Sequence, residues 1–240
     1  ELVSNIAGTI ELISDKVDEP FISQKHLDEL ETLRAHILES TGIKPTHEDG
    51  VLHPVEVIKS MQKVLSDDTT VTVDVGSHYI WMARKFRSYN PRHLLFSNGM
   101  QTLGVALPWA ISAALVRPNT QVVSVAGDGG FLFSAQDLET AVRKNLNIIQ
   151  LIWNDGKYNM VEFQEEMKYE RSSGVDFGSV DFVKYAESFG AKGLRVTNQE
   201  ELEAAIKEGY ETEGPVLIDI PVNYKDNVKL STNMLPDAFN

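Results

Sequence analysis

Two short acidic loops carry the residue types from which a reactive site could be built: Gly127-Asp128-Gly129-Gly130 and Asn154-Asp155-Gly156-Lys157-Tyr158. Each follows a run of apolar, often β-branched residues, so Asp128 and Asp155, 27 positions apart, both stand where a strand should end. Two converging carboxylates suit a hard divalent cation such as Mg²⁺, which takes a few protein oxygens and completes its octahedron with phosphate oxygens or water. The glycines beside Asp128 let a diphosphate approach the backbone and the start of the following helix, whose free N–H groups favour anions. Gly, Asp and Asn are also common turn formers, and either loop alone reads as a plain turn. Together, on consecutive strand ends, they read as a metal-diphosphate site.

The elements that must position these loops are short runs rich in β-branched residues at 70–75, 93–96, 121–126, 147–153, 191–196 and 215–220. Between them lie helical patterns at 55–65, 79–86, 103–115, 135–144, 182–189 and 200–210. Apolar strands separated by helices predict an α/β fold, a mainly parallel six-stranded sheet with helices on both faces. In such a sheet ligands sit beyond the carboxyl ends of the strands. One helix joins strand 121–126 to strand 147–153, and a right-handed crossover brings both ends to the same edge. Residues 49–225 form the predicted ligand-binding domain, and 226–240 read as a polar tail. Residues 1–48 read as the end of a preceding domain and a helical linker. Leu27, Leu30, Leu33 and Ile37 mark a helix over 22–39, and Gly42, Pro45 and Gly50 break it. At the start, Leu2, Ile6, Ile10 and Ile13 form a helical stripe that opens without a capping residue, so the chain is expected to have been cut from a longer one.

The composition narrows the function. With 22 basic against 35 acidic residues, a net charge of −13 repels nucleic acid and anionic membranes, and neither is an expected partner. The lack of cysteine excludes thiol catalysis and thiolate metal sites and suits a cytoplasmic location. No apolar run approaches the roughly 20 residues that span a bilayer. A nicotinamide or flavin oxidoreductase is disfavoured because no Gly-x-Gly-x-x-Gly opens a helix after a strand. A cofactor-binding module without activity stays open as a description of this chain by itself.

Gly-Asp-Gly, 24 residues, then Asn-Asp resembles the signature of thiamine-diphosphate enzymes. The usual ending there is Asn-Asn, and Asp155 is the variant shared by the catabolic acetolactate synthases. The stretches VDVGSHYIWMAR, SNGMQTLGVALPWAI, VAGDGGF, YNMVEFQEE and ESFGAKG extend the similarity over most of residues 50–225. The resemblance implies Mg²⁺ held by Asp128, Asp155 and the main-chain carbonyl of Lys157, and thiamine diphosphate held beside Gly127, Gly129, Gly130 and Tyr158. It implies that Gly76, Ser77 and His78 form a second loop at the diphosphate, although a simple strand-ending turn is an equal reading for His78. Gly99 and Gln101 would line the aminopyrimidine pocket. Leu103 would support the bent cofactor, where a plain helix-core role is the alternative. Met160, Val161 and Gln164 would face the substrate, and glutamine where the biosynthetic synthases carry tryptophan points to pyruvate as acceptor. The implied reaction joins two pyruvates to 2-acetolactate with loss of CO2, with pyruvate oxidase and pyruvate decarboxylase as near rivals. The resemblance also implies self-association, as a dimer or tetramer, and a ring-activating glutamate on an N-terminal domain of the neighbouring subunit. Nothing in residues 1–50 resembles that domain, so the chain alone is expected to be inactive.

Overall fold

The computed structural model describes residues 5–16, 23–40 and 48–227, with only the backbone described for residues 34–40. The chain divides into two compact units. The described part of the first holds α1 (Ile6–Ser14) and α2 (Gln24–Ser40). The expected uncapped start is corrected: Asn5 caps α1, its side chain accepting from the N–H groups of Ala7 at 3.0 Å and Gly8 at 3.5 Å. Asparagine competes well for those free donors, and the helix therefore opens after it. Ile6, Ile10 and Ile13 on α1, and Leu27, Leu30 and Leu33 on α2, are exposed. Leu2, Gly42 and Pro45 lie outside the described residues.

The second unit contains a six-stranded sheet of parallel strands in the order β2-β1-β3-β4-β6-β5. The strands are β1 (Thr70–Val73), β2 (Leu94–Phe96), β3 (Val122–Gly127), β4 (Ile148–Asn154), β5 (Lys192–Arg195) and β6 (Val216–Pro221). All six lie where the apolar runs predicted them. The four inner strands are buried almost throughout, whereas β2 and β5 at the edges are half-exposed. Alternate residues of a strand face opposite sides. Val122, Ala126, Ile148, Ile152 and Leu217 share a core with α5 (Ala106–Val116), α7 (Leu138–Arg143) and α9 (Phe182–Ser188). The other layer holds α3 (Pro54–Val64), α4 (Ser77–Lys85) and α10 (Gln199–Glu211), in which α3 packs on both its neighbours. A capping box starts α3, with Val55 N–H donating to His53 and His53 N–H donating to Glu56, and Pro54 occupies the first turn where no donor is needed.

Two expected helices differ. The single helix between β3 and β4 is three pieces, α6 (Asp128–Leu132), a 3₁₀ turn (Ala135–Asp137) and α7. Ser134, at φ −136°, leaves the helical region and separates the first two. The pattern at 103–115 becomes helical only at Ala106, because Gly104 adopts φ +79° and closes a turn. Leu103 is thereby in a loop, not on a helix.

Candidate functional site

The strand order reverses beside β1, and the carboxyl ends of β1, β3 and β4 lie next to one another at that reversal, the usual place for a ligand in an open parallel sheet. A cavity of about 270 Å³ opens there. Its wall takes Gly76 from the loop after β1, Ser77 and His78 from the start of α4, Gln101 and Leu103 from the loop before α5, Gly127 from the end of β3, and Asp128, Gly129 and Gly130 from the start of α6. Asp155, Lys157 and Tyr158 follow β4, and Met160, Val161 and Gln164 come from α8 (Asn159–Tyr169). Every residue singled out in the sequence is therefore brought to this cavity except Gly99, which is exposed and is not part of its lining.

Asp128 begins α6 and is only 1% exposed. Its carboxylate accepts from Gly129 N–H at 2.8 Å and from Gly156 N–H at 2.6 Å, so it joins the loops after β3 and β4 directly. Burial pushes its pKa up to about 6, against these hydrogen bonds. Burial, and next the charge of Asp128, push Asp155 up to about 7. Two carboxylates so placed repel each other, an arrangement that a bound cation would relieve. Among the described residues no group of three or more His, Asp or Glu side chains gathers as a metal cage.

Lys157 pairs with Asp176 in a short antiparallel bridge, with Tyr158 N–H donating to Val175 at 2.9 Å and Phe177 N–H to Gly156 at 3.3 Å. Residues between such bonds hold their own N–H and C=O away from the partner strand. The Lys157 carbonyl is thus left to face another acceptor of its lone pairs, while its ammonium joins Glu162 and, at 3.4 Å, Asp176. Tyr158 packs against Phe177, with ring centroids 5.1 Å apart. Val161, 47% exposed, and Gln164 stand at the open side of the cavity.

His78 is buried at the start of α4. Burial pushes its pKa down to about 4, opposed by a hydrogen bond to the Asp74 carbonyl, and its Nε2 has no hydrogen-bond partner.

Five wall or support residues were not singled out in the sequence. Asp74 accepts from Val75 N–H at 2.7 Å, from Gly104 N–H at 3.0 Å to both oxygens, and from Ala106 N–H at 3.4 Å. It thereby shapes the turn that presents Leu103, and burial pushes its pKa up to about 6. An acid ending the first strand was the available signal. Val75, Trp153, Asn159 and Tyr224 also line the cavity. Tyr224 comes from the segment after β6, and burial holds its hydroxyl well above the usual range.

Residues 74–220, more than half of the chain, match the family described as thiamine pyrophosphate enzyme, C-terminal TPP binding domain, and the chain belongs to it. Its cofactor class is therefore thiamine diphosphate, and the nicotinamide alternative falls away. Among similar proteins are an acetolactate synthase of Bacillus subtilis, 49% identical over 100% of this chain and 42% of its own length, and a catabolic acetolactate synthase of Raoultella terrigena, 45% identical over 95% of this chain and 41% of its own. A mitochondrial acetolactate synthase catalytic subunit of Saccharomyces cerevisiae is 38% identical over 72% of this chain and 26% of its own. The chain spans about two fifths of the length of the first two relatives.

Proposed function

We propose that the chain, within the protein at its natural length, forms the cofactor site of a cytoplasmic, self-associating acetolactate synthase of the catabolic type, which condenses two pyruvates to 2-acetolactate and CO2. The names of the two relatives similar over nearly the whole chain support this reaction. The single observation that carries the metal assignment is the Asp128–Asp155 pair, a buried and a half-buried carboxyl both held above their ordinary range. Their donor chemistry, all oxygen, fits Mg²⁺, with the Lys157 carbonyl as the third protein ligand. When bound, thiamine diphosphate supplies the carbanion chemistry that decarboxylates a 2-keto acid and joins the remainder to an acceptor. The chain's own residues bind and orient. Asp128, Asp155 and Lys157 anchor the metal, and Gly76, Ser77, His78, Gly127, Gly129 and Gly130 surround the diphosphate. Neutral His78 brings an unpartnered nitrogen to that wall without a charge at neutral pH. Gln101 and Leu103 face the middle of the cofactor, with Gly99 beyond them, and Tyr158 closes the side. Met160, Val161 and Gln164 face the substrate and keep water from it.

The test is calorimetric titration of the protein at natural length with thiamine diphosphate, with and without Mg²⁺, followed by product analysis with pyruvate. Mg²⁺-dependent binding and acetolactate are expected; equal binding without the metal would remove the assignment of the acidic pair. The 240-residue chain by itself is expected to form no acetolactate.

A further inference from the structure

The segment after β6 is locked into the fold. Leu52 N–H donates to Pro221 at 2.8 Å, Asn223 N–H donates to Leu52 at 3.0 Å, and Val222 N–H donates to Asn154 at 3.0 Å. His53 Nε2 lies 3.2 Å from Asp226 Oδ2, and Asn227 is 6% exposed. The sequence reads these last two residues as the opening of a tail; here they are packed inside.

Asn227 sits at the centre of a buried chain of hydrogen bonds. The indole N–H of Trp81 donates to Asn227 Oδ1 at 2.7 Å. An indole can only donate, so the amide's orientation is fixed, with oxygen toward Trp81. Its Nδ2 then donates to Ser77 Oγ at 2.9 Å and to Asn159 Oδ1 at 2.7 Å, and the Ser77 hydroxyl donates to the same Asn159 oxygen at 2.8 Å. With its oxygen occupied, Asn159 has only its amide N–H groups to offer Asp155, whose carboxyl it draws down against the effect of burial. From Trp81 through Asn227 and Ser77 to Asn159 every donor points the same way, and such aligned bonds polarise one another.

We infer that Asn227 is a positioning residue: its amide ties the start of α4 to the start of α8 and, through Asn159, sets the orientation of Asp155 for the metal. The inference rests on the reading of Asp155 as a metal ligand. Asn227→Asp separates this role from packing, because the carboxylate keeps the shape and the acceptor for Trp81 but lacks both donors. The added negative charge by itself draws a cation closer, so weaker metal binding would have to come from lost orientation.

The experiment measures Mg²⁺ affinity at saturating thiamine diphosphate in the protein at natural length, together with the Trp81 indole N–H resonance by NMR. Ile206→Val, in the buried core of α10, serves as a stability control. The expected result is a loss of about tenfold or more in Mg²⁺ affinity for Asn227→Asp, with the Trp81 resonance still downfield and protected, while Ile206→Val binds as wild type. Affinity within about twofold of wild type overturns the inference. So does a fall in affinity accompanied by loss of the protected Trp81 signal, which would make Asn227 a packing residue whose segment has detached. A wild type that binds thiamine diphosphate equally without Mg²⁺ overturns the underlying reading of the acidic pair, a result distinct from normal wild-type binding beside an unaffected variant.

Discussion

A β-carbon added at Gly129 would lie 2.6 Å from Cε1 of Tyr158, closer than packed carbons ever stand. Glycine at this position lets the aromatic ring lean over the loop that follows β3. Gly129→Ala must push the ring outward, and overpacking of this kind costs about 1–3 kcal/mol. Expected are a lower melting temperature and weaker thiamine diphosphate binding, with the variant Gly129→Ala/Tyr158→Ala recovering the stability. A single variant that melts and binds as wild type would mean that the ring moves freely.

Asp128→Ala should abolish Mg²⁺-dependent cofactor binding. A surface-loop aspartate could be removed without harm to the fold, but Asp128 is buried and accepts from two backbone N–H groups. Leaving those donors unpaired costs about 1–3 kcal/mol, so the variant should also lose stability. Binding is read by calorimetry and stability by thermal melting; intact Mg²⁺-dependent binding would sink the assignment.

The pH dependence of the metal-free protein follows from the cavity groups. Asp74 and Asp128 are pushed up to about 6 and Asp155 to about 7 from an ordinary 3.8, chiefly by burial. The folded state therefore keeps protons that the unfolded chain has released, and stability falls as pH rises from about 4 to about 7. His78, pushed down to about 4 from 6.5, acts in the opposite sense as pH rises between those values. Three carboxyls outweigh one imidazole. Melting in a chelator should give a higher midpoint at about pH 5 than at about pH 7.5. Asp155→Asn should flatten that slope and raise the midpoint at neutral pH, while weakening Mg²⁺ binding. A profile that rises with pH would show that these carboxyls are not held in their protonated form.

At the open side of the cavity, Gln164→Trp should raise the preference for 2-ketobutyrate over pyruvate as acceptor. Competition between the two keto acids, with both acetohydroxy acids quantified, checks it. An unchanged product ratio would place Gln164 away from the acceptor.

The sheet was legible because its inner strands are buried on both faces, which turns each into a largely apolar run such as Val122 to Ala126, broken only by the buried Ser124. The acidic loops were legible because consecutive strands of one unit carried them. Other features depend on contacts that spacing does not reveal. Asn227 meets Asn159 across 68 positions and Trp81 across 146, and an asparagine near a polar tail carries no periodic signal. The start of α5 was misplaced because Leu103 fits the helical spacing, while Gly104, which ends that pattern, is held by an aspartate 30 positions earlier. Gly99 fitted a motif by order along the chain, and the cavity selected its neighbours by distance.

The strand order has a consequence for how the chain comes together. β6, last in sequence, lies inside the sheet between β4 and β5. During synthesis β5 therefore waits without a neighbour, and the β4 edge stays unpaired, until residues up to Pro221 have been made. Non-local pairings of this kind form late and leave sticky edges exposed in the meantime. A nascent chain halted before Val216 carries the two acidic loops but has an open seam through its middle, where proteases and other unpaired strands gain access.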